Sequence, residues 1–416
     1  MRTAIKFSIS LILLLLLGGV VYLNQAVYYT PTMKILQGDT VNLDILHQLR
    51  YLKHEMNDGA ATDMQSLYPE GYIFMHALYG LTWCDFAREL TPTSLLHREA
   101  LEEINKSCKA IRAPEARSIF DEHLTLPNGA FYTGWSNYLL GKKLSLEKPV
   151  QRNSEEVKYF QQQCELIASA LNQYTSPYLE SYYQSAWPAD VVVCAASLRL
   201  HDKIFAPKYT ATLYTWLGKV KNTLDPKGLI PHSVHPVTGQ PHEGARGCSQ
   251  SLMLIFMYEI DPAFGKQQFD IYKYNFPDQK LGLQGIREYP NGMAGSGDVD
   301  SGPVVFQIGA AASIVGMRTF ATYHEPSNAY AIQCGIEAFG FTTQNETGKK
   351  YIFGMLPMAD AFITWAYTTI PVDAHVTSAF SRSLFHIYSG LAITVIIVLL
   401  AVQWRNSLWK KQHKTY

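Results

Sequence analysis

Two unbroken apolar runs, one near each end of the chain, constrain the fold more than any other feature. Phe7 to Leu23 reads FSISLILLLLLGGVVYL, just long enough at about 1.5 Å per residue to cross a hydrocarbon core of about 30 Å. Asn24 to Tyr29 after it offers no small-x-small cleavage site, so the run reads as an uncleaved anchor and not as a removed secretory signal. Leu384 to Trp404 is a second candidate span. Arg2 and Lys6 precede the first run, and Arg405, Lys410, Lys411 and Lys414 follow the second. The positive-inside rule then places both ends in the cytoplasm and residues 24–383 outside the cell membrane. The expected organisation is a cytoplasmic tail (1–6), an anchor (7–23), an extracytoplasmic domain (24–383), a second transmembrane helix (384–404) and a basic cytoplasmic tail (405–416).

Composition narrows what the middle can be. Lys and Arg number 35 against 35 Asp and Glu, and 17% of residues are charged against 47% hydrophobic. Those values exclude a nucleic-acid binder resting on bulk positive charge and a disordered acidic chain. The six cysteines are too sparse for a disulfide framework and form no CxxC pair, so neither a structural metal nor a cofactor is expected.

Three stretches of the outer part are apolar on nearly all sides: Pro188 to Phe205, Cys248 to Ile260 and Val304 to Tyr323. Such helices are buried on most faces. Between them run amphipathic segments, Arg98 to Cys108, Ser154 to Tyr174 and Pro207 to Thr223. Buried helices alternating with amphipathic ones suggest an all-α, two-layer (α/α)6 toroid, at about 30 residues per helix and loop for twelve helices. One small β-hairpin interrupts the pattern at Leu229 to Glu243.

In a toroid, the loops entering the inner helices share one mouth. Three polar, turn-rich stretches stand at those places: Ser185 to Asp190, His242 to Cys248 and Arg287 to Pro303. Asp190 could merely complement the dipole of a helix starting at Pro188, and Asp300 could merely cap one. One cap does not need Glu288, Asp298 and Asp300 together, and crowded carboxylates push each other's pKa values apart, as acid/base work requires. Asp298 and Asp300 flank Val299, so an extended segment would turn both toward one cavity, one of them protonated or neutralised by Arg246 or Arg287 and Asp190 or Glu288 left as the base. Trp187, Tyr289 and Trp135 are candidate stacking groups, and Arg246 and His242 candidate polar contacts for a substrate. Trp187, Asp190, Arg246, Glu288, Asp298 and Asp300 are expected around a single cavity.

The order of segments also resembles the linalool dehydratase/isomerase family. The similar stretches include Tyr132-Thr-Gly-Trp-Ser-Asn-Tyr-Leu-Leu-Gly141, Trp187-Pro-Ala-Asp-Val-Val-Val-Cys194, Leu224-Asp-Pro-Lys-Gly, Ile260-Asp-Pro-Ala-Phe264 and Asp298-Val-Asp-Ser-Gly302, within residues 46 to 325. The resemblance implies an (α/α)6 barrel. It would place Asp58 and Cys194 in an acid/base site, with Asn128 where the family has a histidine and Ser185 or Ala186 where it has a first cysteine.

Three functions compete. The leading one is a membrane-anchored enzyme, hydrolase or lyase, that cleaves a glycan or similar polyhydroxylated molecule with paired carboxylates. The second is a hydro-lyase or isomerase acting on an apolar alcohol, as the resemblance implies. The third is a non-catalytic membrane scaffold. Expected partners are the substrate and the lipid bilayer, with no nucleic acid; an oligomer is left open.

Overall fold

The computed structural model describes residues 2–371 and 382–412, with side chains from 4 to 371 and from 382 to 405. The side chains of Arg2, Lys410, Lys411 and Lys414 and residues 372–381 therefore lie outside the described residues. The chain opens with α1 (Arg2–Ala26) and a hairpin, β1 (Met33–Leu36) with β2 (Asp39–Asn42). Two kinds of helix then alternate. Six are largely buried: α4 (Gly71–Arg88), α7 (Gly129–Leu146), α9 (Pro188–Ile204), α11 (Gly247–Ile260), α13 (Ala310–Thr322) and α15 (Pro357–Tyr367). Six cover them: α2 (Leu43–Asn57), α5 (Leu95–Ile111), α8 (Ser154–Gln173), α10 (Thr210–Lys221), α12 (Pro262–Asn275) and α14 (Pro326–Phe339). Two short helices, α3 (Ala60–Leu67) and α6 (Pro114–Arg117), lie in connections, and α16 (Ser383–Gln412) ends the described chain.

Local chemistry sets many of these starts. Pro188, Pro262, Pro326 and Pro357 each occupy a first helical position, where a missing N–H is harmless. Ser94 caps α5 by accepting from the His97 N–H at 3.1 Å, and Asn153 caps α8 through Glu155 and Glu156.

The buried helices pack in chain order, α4 on α7, α7 on α9, α9 on α11, α11 on α13 and α13 on α15, and α15 packs back on α4. Aromatic rings fill the space among them. Phe74 of α4 lies 5.0 Å from Phe131 and 5.4 Å from Trp135, and Trp135 meets Phe256 edge-on at 5.7 Å and Trp365 at 6.3 Å. Toward the C-terminal ends of these helices the fill becomes ionic. Arg318 donates to Asp85 at 2.8 Å, and Lys142 and Tyr138 both donate to Glu259, at 2.9 and 2.7 Å.

Four more antiparallel hairpins occupy loops: β3 (Ser233–Val234) with β4 (Pro241–Glu243), β5 (Pro277–Lys280) with β6 (Leu283–Ile286), β7 (Val304–Val305) with β8 (Ile308–Gly309), and β9 (Thr343–Asn345) with β10 (Gly348–Lys350). The first is the hairpin expected from the sequence. The third replaces the first turns of a helix expected from Val304: Phe306 and Gln307 take φ of 52° and 70°, the positive pair a two-residue hairpin loop needs, and helix begins only at Ala310.

Helices α1 and α16 are each long and apolar enough to cross a membrane, and they run antiparallel. At one end the Gln403 amide donates to the Ser10 hydroxyl at 3.2 Å, and Lys6 donates to the Gln403 carbonyl. At the other, Asn24 Oδ1 meets His386 Nδ1 at 2.8 Å and accepts from Ser389 at 3.0 Å.

Candidate functional site

Segments leading into five of the buried helices are tied to one another. Tyr182, ahead of α9, donates to Glu70 at the start of α4, and the Ala130 N–H of α7 donates to the Glu180 carbonyl at 2.8 Å. Ala186 bridges to Val234, and the Gly247 N–H opening α11 donates to the Glu288 carbonyl at 2.7 Å. Gly247 permits that last approach, since a Cβ there would stand 1.9 Å from the Arg287 carbonyl oxygen.

Arg246, 2% exposed, is the hub. Its Nε donates to Glu288 Oε1 at 2.8 Å, while Nη2 and Nη1 fork onto the two carboxylate oxygens of Asp298 at 2.6 and 2.5 Å. This is the bidentate geometry a guanidinium is shaped for. Nη1 also reaches Glu243 at 3.3 Å and His232 Nε2 at 3.3 Å. Arginine can only donate, so His232 Nε2 accepts and the ring proton is assigned to Nδ1, which faces the Ser249 hydroxyl. The hydrogen bonds from Arg246 hold Asp298 below the usual carboxylate range. Glu288 goes the other way. It is fully buried, its Oε2 has no hydrogen-bond partner among the described residues, and burial outweighs the help of Cys248 and Arg246, so its pKa is raised. The Cys248 thiol donates to Glu288 Oε1 at 3.0 Å, and burial pushes its own pKa well up, so it stays a thiol.

Asp190 stands in the first turn of α9, buried, accepting from the Ser181 hydroxyl at 2.5 Å. Burial raises its pKa to about 8; Ser181 opposes the shift, and the charges of Glu70 and Asp300 add to it. At neutral pH it is a carboxylic acid held close to two further carboxyl groups. Asp300 is the open member, its side chain 53% exposed, with Oδ2 3.4 Å from His232 Nε2.

The segment around Val299 is a turn rather than extended chain: Asp298 Oδ1 accepts from the Asp300 and Ser301 N–H groups at 3.0 and 3.2 Å. Asp298 therefore acts as a local cap and as the partner of Arg246 at once. Arg287 turns to Asp278 at 2.9 Å and takes no part in the cluster. The expected division, with Asp190 or Glu288 as base, is reversed at Asp190, because desolvation makes it the group that keeps a proton.

Two of the expected aromatics flank this cluster. Trp187 precedes α9 and meets the Tyr182 ring edge-on at 5.8 Å, and the Arg246 guanidinium lies 6.0 Å from the centre of Tyr289. Asn128 holds the left-handed turn into α7, with φ of 64°. Other expected residues lie apart. Trp135 belongs to the buried aromatic fill. His242 is exposed on β4, its ring 6.1 Å from that of His235. Cys194 is buried between α7 and α9, its thiol 3.3 Å from the Ala130 carbonyl, and burial keeps it protonated. Asp58 ends α2, exposed and paired with His54 at 3.2 Å.

Four participants were not singled out from sequence: Glu70, Ser181, His232 and Cys248. Glu70 directly precedes a buried helix, so the rule that found Asp190 extends to it. His232 lies within the hairpin segment, and Cys248 closes one of the three polar stretches. Ser181 carried no such signal. Among the described residues no group of three or more His, Cys, Asp or Glu is placed to hold a metal ion; Arg246 supplies the positive charge here. A surface depression of about 510 Å³ lined by Arg112, Glu156 and Tyr159 belongs to the covering helices α5 and α8.

No protein-family model matches the chain, and no curated protein sequence does. The functional reading therefore rests on this geometry.

Proposed function

We propose that the chain is a membrane-anchored acid/base enzyme built on an (α/α)6 toroid, with α1 and α16 as spanning helices and the domain between them outside the cytoplasm. The closed order of packing among the six buried helices supports the toroid, and the basic residues at both outer ends of the apolar runs support the orientation. The reaction is hydrolysis of a glycan or similar polyhydroxylated molecule. Asp190, a carboxylic acid at neutral pH, gives its proton to the leaving oxygen as the C–O bond breaks. Asp300, open to solvent, takes a proton from the attacking water as the new C–O bond forms. Arg246 neutralises Asp298.

The observation that carries this reading is a buried carboxyl, Asp190, whose pKa is raised chiefly by burial and further by the charge of the exposed Asp300. The hydro-lyase reading needs Asp58 and Cys194 in one site, and they lie on an exposed helix end and inside a helix–helix contact. The test is turnover by the purified full chain against envelope glycans. Asp190→Asn and Asp300→Asn should each lower turnover by a factor on the order of hundreds, and the rate should fall as pH rises through about 8, where Asp190 loses its proton. Normal turnover by both variants would refute the assignment.

A further inference from the structure

The two apolar helices leave the domain on the side that carries the exposed Asp300. Helix α14 follows α13 through the short connection Tyr323–Glu325 and packs back along it, so its C-terminal end returns to the level of Ala310, where α13 begins. Helix α1 runs along α14 in the opposite sense. Tyr330 donates to the Tyr29 carbonyl at 2.7 Å, Val27 packs on Ala338, and the Tyr22 ring stacks on Phe341 at 6.0 Å, just past the end of α14. From Tyr22 the helix continues beyond the domain. Helix α16 follows the same course, with Arg382 3.5 Å from Cys334 and Phe385 against Ala338 and Leu283.

The loops at this end carry bare apolar side chains. Val299 is 68% exposed, Phe306 67%, Phe353 61% and Met355 75%. Phe306 and Phe353, with the half-exposed Phe341, take positive φ of 52°, 58° and 44°, a region that favours glycine and strains a bulky side chain. Glycine would make these turns without strain and without exposing a ring. Loops at the opposite end carry Glu89, Glu147, Lys148 and Lys208, with Val150 an exposed apolar side chain among them.

We infer that the mouth of the domain rests against the bilayer that holds α1 and α16, with Phe306, Phe353 and Met355 entering its headgroup layer. The substrate reaching Asp190 is then a membrane-embedded amphiphile, a lipid carrying a sugar or other hydroxylated head. Continuity carries the choice of occupant: Phe341 already stacks on α1, and Phe353 stacks on Phe341 at 6.1 Å. Exposed Phe side chains are among those that bury into the headgroup/acyl boundary of a bilayer. The substrate class rests on the acid/base reading above; the docking does not.

The test uses the full chain in phosphatidylcholine nanodiscs, with an environment-sensitive dye on a cysteine introduced at Phe306, at Met355 or, as control, at Val150, which is 93% exposed at the far end. Met355 has ordinary backbone angles, so that variant folds even if the one at Phe306 does not. Both rim dyes should shift to the blue and be quenched by nitroxide-bearing lipid several-fold more than the dye at Val150. Equal quenching at all three positions overturns the docking. In the same discs, a lipid-linked glycan should turn over at least tenfold faster than its delipidated head, and Phe306→Ser with Phe353→Ser should erase that preference while sparing the soluble head. Equal rates for the two substrates in the unaltered chain overturn the substrate class. Asp190→Asn that keeps turnover removes the acid assignment while the quenching result stands.

Discussion

Replacing Asp190 by asparagine should make the protein more stable at neutral pH while lowering its turnover by a factor on the order of hundreds. The carboxyl is buried, and its pKa rises from 3.8 to about 8 on folding. Below pH 3.8 the folded and unfolded chains both hold the proton, and stability does not depend on it. Between those two values only the folded chain keeps the proton, so stability falls as pH rises, and the loss is complete once pH passes the folded value. At pH 7 the gap is about three units, which at ~1.4 kcal/mol each amounts to about 4 kcal/mol. Asparagine has the shape of the acid, still accepts from Ser181, and carries no proton to lose. After about 1 kcal/mol for imperfect hydrogen bonding, Asp190→Asn should gain roughly 3 kcal/mol at pH 7 and lose up to about 1 kcal/mol near pH 4. Thermal unfolding of the detergent-solubilised pair should show this as a rise in Tm of several degrees at pH 7–8 that vanishes near pH 4. A variant equally or less stable than its parent at both pH values would show that Asp190 is ionised in the folded protein, and the reasoning would fail.

Arg246→Met should be among the most damaging changes in the domain, costing about 3–5 kcal/mol because Glu288 is left buried beside an unpaired site; pairing it with Glu288→Gln should recover much of the lost Tm. Asp298→Asn should cost about 1 kcal/mol at pH 7, a modest figure because the side chain is 47% exposed. Arg246 lowers the Asp298 pKa, so that contribution is present above pH 3.8 and disappears as pH falls through the folded value, which urea titrations at pH 7 and pH 2–3 would reveal. Asn24→Leu removes the acceptor shared by His386 and Ser389 and should loosen the α1–α16 pair by about 1 kcal/mol, read as faster cross-linking exchange between cysteines placed on the two helices.

The legible features in the chain are those with a local cause. Pro188 marks the start of α9 to the residue, and the all-round apolar run from Cys248 begins one residue after α11 does. Val304 to Gly309 reads as helix in the sequence and folds as a hairpin, because a short apolar run has no period of its own and the positive φ of Phe306 and Gln307 goes against what their side chains favour. The acidic turn at Asp298 and Asp300 stood out by composition, but its conformation did not, since the hydrogen bonds from Asp300 and Ser301 to Asp298 turn a stretch that could equally have been extended.

The kinds of helix, the two apolar ends and the polar loops before buried helices follow from the sequence alone, because hydrophobic periodicity and the backbone limits of proline act within a few residues. The state of each carboxyl does not. Asp190 keeps its proton because α9 is buried and Glu70 and Asp300, 120 and 110 residues away in the chain, lie near it. Asp298 loses its proton because Arg246, fixed by the contact between Gly247 and Glu288, points at it. Desolvation and charge–charge energies depend on distances through space, and only the packing of the helices sets those distances.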